Sequence, residues 1–398
     1  MPNYIFLNTS HGRFQLSAYP NESIESILRR FAIPISAVWT YIYDERSKSE
    51  RMISIREIPE KSDDLIFAQI TRNIDLPTLI KPDSTYLRTN KNPSTEWIFP
   101  DATHGAFRRI LSEMSSEECL SYVQQVVDDF AERWLSKGLR MIVGVSGGGD
   151  SNVMLSCLMN SPHIVSENII PTMILSGLPD WDSQLDQALE LCKILSVDLE
   201  IITSEQAASL LGVTSLSDLQ CAFRVFYPEI DLDFLGAWII RKVLSKYANE
   251  QDVNYIAIGA NREDLLSESI AQISIGRLPL PIPHRRIGSN TIVYPMWQVP
   301  KKIGDGAYPK YSLSNYENRG PGNTKGRSLF YYIAYQMADL APGFDQTLLN
   351  GLSNLSTLNN DAFQSEDIID DYTVVGLYSQ EELEKWKQML DSVLPKLK

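Results

Sequence analysis

The sequence predicts an α/β protein in which a parallel sheet is covered by helices and preceded by a smaller α+β domain. Three observations carry this. From Met141 onward, short apolar strand-type runs alternate with amphipathic helical stretches, the pattern of parallel strands joined by helical crossovers. The first of those strands breaks into three consecutive glycines that open a helix. Residues 1–75, by contrast, hold short strand-like runs around a single helix.

In that first segment, Tyr4 to Asn8 and Arg13 to Tyr19 read as strands joined by a turn at Ser10-His11-Gly12. A helix then starts at Ser23, with Ile24, Ile27, Leu28 and Phe31 on one face. Ile35 to Tyr43 and Leu65 to Thr71 read as two further strands. Residues 76–115 are rich in Pro, Asn, Ser and Thr, show no sustained periodicity, and read as a linker. Ser115 and Glu118 have the spacing of a capping box, and Leu120, Val123, Val127, Phe130 and Trp134 form one apolar helical stripe. Beyond it come strands at Met141–Val145, Ile169–Leu175, Leu199–Thr203 and Tyr255–Gly259, with helices over Gln184–Leu195 and Leu235–Ala248. A last helix, capped by Ser379 and Glu382, turns Leu383, Trp386 and Leu390 inward. The expected division is 1–75, a linker over 76–115, a main domain over 116–360, and a C-terminal tail and helix over 361–398.

At 398 residues the chain is longer than one core usually absorbs, which agrees with this division. A hydrophobic share of 43% with 22% charged residues is ordinary for a globular chain. No apolar run is long enough to span a bilayer, and the N-terminus lacks the pattern of a signal peptide. The four cysteines, Cys119, Cys157, Cys192 and Cys221, form no CxxC pair, which argues against a zinc ribbon or a disulfide framework and fits a reducing cytoplasm. A net charge of -14 disfavours nucleic-acid binding by the surface as a whole.

The chemistry concentrates in Val143-Gly144-Val145-Ser146-Gly147-Gly148-Gly149-Asp150-Ser151. Consecutive glycines let the main chain approach a ligand and aim several N–H groups at one point, and the helix start adds positive partial charge. Such a turn is an anion cradle. It is not a Walker A loop, because the GxxxxGK[ST] spacing and its lysine are missing. Three glycines also spend more backbone entropy than a plain strand–helix turn requires.

The run SGGGDS resembles the SGGxDS PP-loop of the N-type ATP pyrophosphatases, in which the loop holds the phosphates of ATP. A second landmark, Tyr255-Ile256-Ala257-Ile258-Gly259-Ala260-Asn261-Arg262-Glu263-Asp264, is similar to the strand and G-H-H-x-D-D-like element of the tRNA 2-thiocytidine and lysidine synthetases. Ala260 and Asn261 replace both histidines, while Gly259 and Asp264 match. The resemblance covers roughly residues 118–355 and is nearest that branch. It implies a HUP-type parallel-sheet ATPase domain. The N-terminal order of strand, strand, helix, strand, strand resembles the β-grasp (ubiquitin-like) fold. The chain there runs on into Asn73-Ile74-Asp75 instead of ending in a free Gly-Gly, which removes the conjugation chemistry and leaves a docking module or a packing appendage.

The resemblance implies roles for single residues. Gly147, Gly148 and Gly149 hold the phosphates of ATP, and Ser146 and Ser151 bond phosphate oxygens. Asp150 is the candidate Mg²⁺ ligand, a hard carboxylate beside a polyphosphate. Ser176 and Gly259 border the adenine and ribose. Asp264 either acts on the acceptor, holds a second metal, or is a helix N-terminal acid facing the dipole. Arg262 either meets the α-phosphate or is a solvated surface residue. The cysteine pairs of the iron–sulfur members would fall near Phe234 and Ala237 and within Asn315–Asn323, where this chain has none, so no cluster is expected.

The acceptor has one clue. Between Arg277 and Arg327 stand nine basic residues (Arg285, Arg286, Lys301 and Lys302 among them) against Asp305 and Glu317, a local net of +7. Tyr294, Trp297, Tyr308, Tyr311 and Tyr316 are interleaved, a mixture suited to phosphates and stacked bases. Ordinary surface lysines on a proline-rich loop are the plainer reading. The expectation is an enzyme that cuts ATP to AMP and pyrophosphate and adenylates an acceptor, first a tRNA base, with sulfur or nitrogen from a partner. Modification of a protein or small carboxylate, and a non-catalytic nucleotide-binding subunit, are the rivals.

Overall fold

The computed structural model describes residues 4–9, 12–44, 46–59, 65–71, 94–101, 105–136, 138–176, 182–230, 232–274, 276, 279–308, 325–341, 343–358 and 380–395. By compactness the chain divides into two units. One comprises Met1–Val123, Asn261–Ala271 and Gln298–Gly351; the other comprises Gln124–Ala260, Gln272–Trp297 and Leu352–Lys398.

The first unit is built on a five-stranded sheet of β1 (Tyr4–Thr9), β2 (Gly12–Ser17), β3 (Val38–Asp44), β4 (Ser49–Met52) and β5 (Leu65–Ile70), in the order β2-β1-β5-β3-β4. β1 lies parallel to β5, and the other pairings are antiparallel. Helix α1 (Ile24–Arg30) starts where Ser23 accepts the Ser26 N–H, and it buries Ile24, Ile27 and Leu28. Strand alternation sends Ile5 and Leu7 to the core shared with α1, and Phe6 to a second cluster with Trp39, Tyr41 and Phe67. Both faces of the sheet are therefore covered. Tyr331 and Tyr335 of helix α10 (Lys325–Leu340) enter the α1-side core. Asp339 of α10 accepts the N–H groups of Ile35 and of Ser36, the latter at 3.0 Å.

Two elements here escaped the sequence pattern. β4 is Ser-Glu-Arg-Met, too polar to read as a strand. The expected linker contains an antiparallel hairpin of β6 (Ser94–Asp101) and β7 (Gly105–Ser115). Phe107, Ile110, Leu111 and Met114 do not alternate cleanly, so β7 gave no period-two signal. The capping box at Ser115 and Glu118 forms as expected and opens α2 (Ser116–Trp134).

The second unit holds the parallel α/β sheet the sequence predicts. Its strands are β8 (Met141–Gly144), β9 (Ile169–Ile174), β10 (Glu200–Ile202), β11 (Tyr255–Ala257), β12 (His284–Ile287) and β13 (Asn290–Val293), in the order β10-β9-β8-β11-β13-β12. All pairs are parallel except β12 with β13. Helices α3 (Gly149–Asn160), α4 (Leu185–Ile194), α5 (Ser204–Leu211), α6 (Leu216–Phe226) and α7 (Leu232–Glu250) fill the crossovers. Trp386 and Met389 of α12 (Gln380–Ser392) are buried in a cluster with Phe223 and Tyr227 from the α6 region and Trp238 of α7. The Trp238 and Trp386 rings meet edge-on at 5.3 Å. Leu390 is partly buried there too, while the expected cap at Ser379 lies outside the described residues. Among the described residues no helix is long and apolar enough to cross a membrane.

Candidate functional site

The loop after β8 takes its shape from its sequence. The Val145 N–H donates to the Thr172 carbonyl (2.9 Å), carrying the ladder one step past β8. Gly147 then turns with φ +75°, a conformation glycine adopts without strain. Gly148 caps helix α3 in extended conformation, and the first helical bond runs from the Asn152 N–H to the Gly148 carbonyl (3.0 Å). The N–H groups of Gly149, Asp150 and Ser151 stand in the first turn, where no intrahelical acceptor exists.

Two hydroxyls brace the turn. The Ser146 N–H donates to Ser151 Oγ (3.0 Å), Ser151 Oγ donates to the Gly148 carbonyl (3.1 Å), and the Gly148 N–H donates to Ser146 Oγ (3.3 Å). The Asn152 side-chain amide holds the Gly147 carbonyl (3.2 Å). Ser146 is exposed, Gly148 and Asp150 are half-buried, and Gly147, Gly149 and Ser151 are buried. The loop thus presents one open side carrying backbone N–H groups, a hydroxyl and a carboxylate.

The glycines are needed for space as well as for conformation. A Cβ on Gly147 would lie 2.1 Å from the Gln184 carbonyl oxygen. On Gly259, just past β11, it would meet the Ser151 nitrogen at 3.1 Å and the Asp150 carbonyl carbon at 3.2 Å. The end of β11 therefore presses main chain to main chain on the start of α3, which brings Gly259 to the loop. Ser176 lies two residues past β9, 5% exposed, and both its N–H (2.8 Å) and its Oγ (3.1 Å) donate to Asp182. It also borders a cavity of about 500 Å³ whose wall includes Ser204, Ser209, Thr214 and Ser215.

Arg262 and Asp264 fall in the other unit, at the start of helix α8 (Arg262–Ser274). The solvated reading of Arg262 is corrected: the side chain is buried, paired with Asp345 at 2.8 Å and donating twice to the Gln298 carbonyl (3.2 and 2.7 Å). Burying a guanidinium is tolerable only with such partners. Asp264 closes a reciprocal cap with Asn261 (3.1 and 3.2 Å) and accepts the Tyr331 hydroxyl at 2.7 Å. Of the three readings of Asp264, the capping acid is the one with geometry here. Between them lies Glu263, buried and accepting the Lys301 N–H at 2.8 Å; burial pushes its carboxyl up to about 7, against the pull of Arg262.

The basic segment is corrected more thoroughly. Arg285, Lys301 and Lys302 are 6%, 1% and 3% exposed, so they do not form a surface for phosphates. Arg285 stacks on Tyr294 within the β12–β13 region, and Lys301 pairs with Asp305 at 2.7 Å inside helix α9 (Lys301–Ala307). Arg286 is exposed. Lys310, Tyr311, Tyr316 and Arg319 lie outside the described residues. The sequence showed the charges and the i,i+4 spacing of Lys301 and Asp305, but not that these groups are buried.

Cys119, Cys157 and Cys192 are buried and Cys221 is exposed. Burial pushes the Cys119 and Cys157 thiols up to about 12. Each cysteine sits on a different helix (α2, α3, α4 and α6), and among the described residues no three His, Cys, Asp or Glu side chains group so as to hold a metal ion.

A glycine-rich loop between a parallel strand and a helix, backed by a glycine that follows the neighbouring strand, has the form of a PP-loop. No known family profile matches the chain. Its sequence is 25% identical over 182 residues to tRNA-cytidine(32) 2-sulfurtransferases of Coxiella burnetii strains, covering 44% of this chain and 62% of theirs. The chain thus spans about three-fifths of the length of these curated relatives. Among solved structures, the U34-tRNA thiolase of Methanococcus maripaludis with its [4Fe-4S] cluster matches with a TM-score of 0.44 at 19% identity, over 60% of this chain and 79% of that one. A glutamine-dependent NAD+ synthetase from Acinetobacter baumannii in complex with ADP matches at 0.34 and 16%, over 69% and 44%. In its loop and in its sequence the chain is similar to PP-loop proteins of the tRNA-thiolating branch.

Proposed function

We propose that this chain is a PP-loop ATP pyrophosphatase that adenylates an RNA base, first of all in tRNA, for replacement of an oxygen by sulfur or an amine. The observation that carries the reading is the glycine loop from Ser146 to Ser151, braced by its own hydroxyls at the start of α3, with Gly259 packed against it. The sulfurtransferase relatives supply the acceptor class.

In this reading the phosphates of ATP lie on the N–H groups of Gly149 and Asp150 and take over the Gly148 N–H from Ser146 Oγ, donors that favour developing negative charge. Asp150, half-buried at the loop mouth, fits Mg²⁺, which usually takes one or two carboxylates and completes its shell with phosphate oxygens and water. Bound there, the ion would neutralise charge on the departing pyrophosphate. The acceptor's carbonyl oxygen attacks the α-phosphorus, the bond from the α-phosphorus to the bridging oxygen breaks, and pyrophosphate leaves. A sulfur or amine nucleophile from a partner then adds to the activated carbon and expels AMP. Ser176 and Gly259 are proposed to border the adenosine, with Ser176 oriented by Asp182.

The four scattered cysteines support a donor that is not a cluster of this chain. The strand order of the N-terminal sheet supports a β-grasp-like module. Its two covered faces favour a packing role over capture of a target. Burial of Arg285, Lys301 and Lys302 leaves the RNA-binding face unassigned, so a protein or small carboxylate acceptor is the second reading. Both readings place the protein in the cytoplasm. ATP labelled in the α-phosphate, incubated with and without bulk tRNA, separates them. AMP and pyrophosphate released only with tRNA is the expected result, and ADP with free phosphate would refute the reaction class.

A further inference from the structure

The loop contains a peptide that its own sequence leaves loose. The bond between Gly147 and Gly148 is flanked by two residues without side chains, one at φ +75° and one at φ -73°. Glycine opposes rotation of such a peptide less than any other residue. The carbonyl and N–H of a trans peptide point in opposite directions, so whichever group faces the helix sends the other toward the open side. A flip would put a carbonyl oxygen where a phosphate is to be bound.

We infer that Asn152 is the positioning residue that prevents this flip. Its side-chain amide donates to the Gly147 carbonyl at 3.2 Å, holding that oxygen against helix α3, while the N–H of the same peptide rests on the exposed Ser146 Oγ at 3.3 Å. The next peptide is held separately, its Gly148 carbonyl bonded by Ser151 Oγ and by the Asn152 N–H. The reversed amide would set two acceptor oxygens against each other, so the donor assignment is chemically fixed.

The position itself argues for a task beyond packing. Asn152 is 1% exposed and is followed by the buried Val153, Met154 and Leu155. Its Oδ1 is buried with no hydrogen-bond partner among the described residues. An apolar side chain there would spare the fold an unmade hydrogen bond. What it could not do is donate to Gly147.

This inference rests on the PP-loop reading, and the experiment separates the two. Mg²⁺–pyrophosphate binding is measured by calorimetry on wild type, Asn152→Leu and Asn152→Ala, each beside a thermal melt. Both variants should bind about tenfold more weakly, the value of one hydrogen bond, while Asn152→Leu melts close to wild type. A merely structural role would lower the melting temperature and leave affinity unchanged. If the wild type binds and the folded variants bind equally well, the inference is overturned and the PP-loop reading stands. If the wild type binds neither pyrophosphate nor ATP, the reading itself fails. Should neither variant fold, glycine-labelled wild type decides: Mg²⁺–pyrophosphate must shift the Gly148 and Gly149 amide resonances, and unmoved resonances overturn the inference.

Discussion

Gly147→Ala and Gly148→Ala differ by one position and should differ greatly in effect. At Gly147 an alanine would sit at φ +75°, a left-handed conformation that costs an L-residue roughly 1–2 kcal/mol. Its Cβ would also fall 2.1 Å from the Gln184 carbonyl oxygen and 2.8 Å from the carbonyl carbon. That is main chain, which cannot swing aside as a side chain does, and forced overpacking adds about 1–3 kcal/mol. The sum is about 2–5 kcal/mol, taken as lost stability or as a displaced loop. At Gly148 the backbone is ordinary, and a Cβ meets only Gln184 Oε1 at 3.1 Å and Ser146 Oγ at 3.3 Å, both ends of movable side chains. That substitution should change stability by less than about 1 kcal/mol. In a thermal melt, Gly147→Ala should fall by about 5–15 °C and Gly148→Ala by no more than about 3 °C. ATP affinity should drop at least about tenfold for Gly147→Ala. If Gly147→Ala melts and binds like wild type, or if Gly148→Ala is the worse of the two, the loop does not have the described shape.

Other outcomes follow from the same geometry. Asp150→Ala should abolish pyrophosphate release with little change in melting temperature, because the carboxylate stands at the loop mouth; unchanged turnover at limiting Mg²⁺ would refute the metal role. Glu263, with its carboxyl raised to about 7, keeps a proton on folding that the unfolded chain gives up, so its share of stability is full below about pH 4.5 and fades as pH rises through 7. Urea titrations from pH 5 to 8 should show wild type losing up to about 3 kcal/mol relative to Glu263→Gln, and parallel curves would refute it. Trp386→Ala should cost about 3–5 kcal/mol in urea unfolding, since the ring fills the cluster with Phe223 and Trp238. Lys301→Ala should destabilise by about 3–5 kcal/mol, because it removes the cation paired with buried Asp305. It should leave the salt slope of any RNA binding unchanged, whereas Arg286→Glu, at an exposed position, should lower it.

The parallel sheet and its loop were legible because their signals are local. β8 is a continuous apolar run, three glycines end it, and Asp150 and Ser151 start a helix, all within one stretch of chain. The N-terminal strands and α1 were legible for the same reason, as alternation and a capped amphipathic helix. The β6–β7 hairpin was not, since its stability comes from pairing across Asp101 and Gly105 and its apolar residues do not alternate. Helices α5 and α6 bury one side against α7 and α12, and the α12 partners Trp386 and Met389 lie about 160 residues away along the chain. No window of sequence contains both halves of that contact.

Charge was the most misleading local signal, and Lys301 shows why. Read along the chain, Lys301 and Lys302 continue a run that begins at Arg285, and a run of cations suggests a solvated or phosphate-binding face. In the structure Lys301 points within its own short helix to Asp305, four residues on, and its backbone N–H is taken by Glu263 from a distant segment. The i,i+4 spacing was visible, but it does not tell whether the pair lies in water or in the core, and only burial changes its meaning. In water such a pair is worth a few tenths of a kcal/mol and leaves the lysine free for other anions. In the core, breaking it costs about ten times as much, so the lysine is committed and unavailable to RNA. Net +7 over a segment thus measures composition, while ligand binding depends on which of those charges remain solvated. Asn152 is the converse case: a neutral residue in a run of core positions, without any charge signal, whose amide holds the Gly147 carbonyl of the glycine loop.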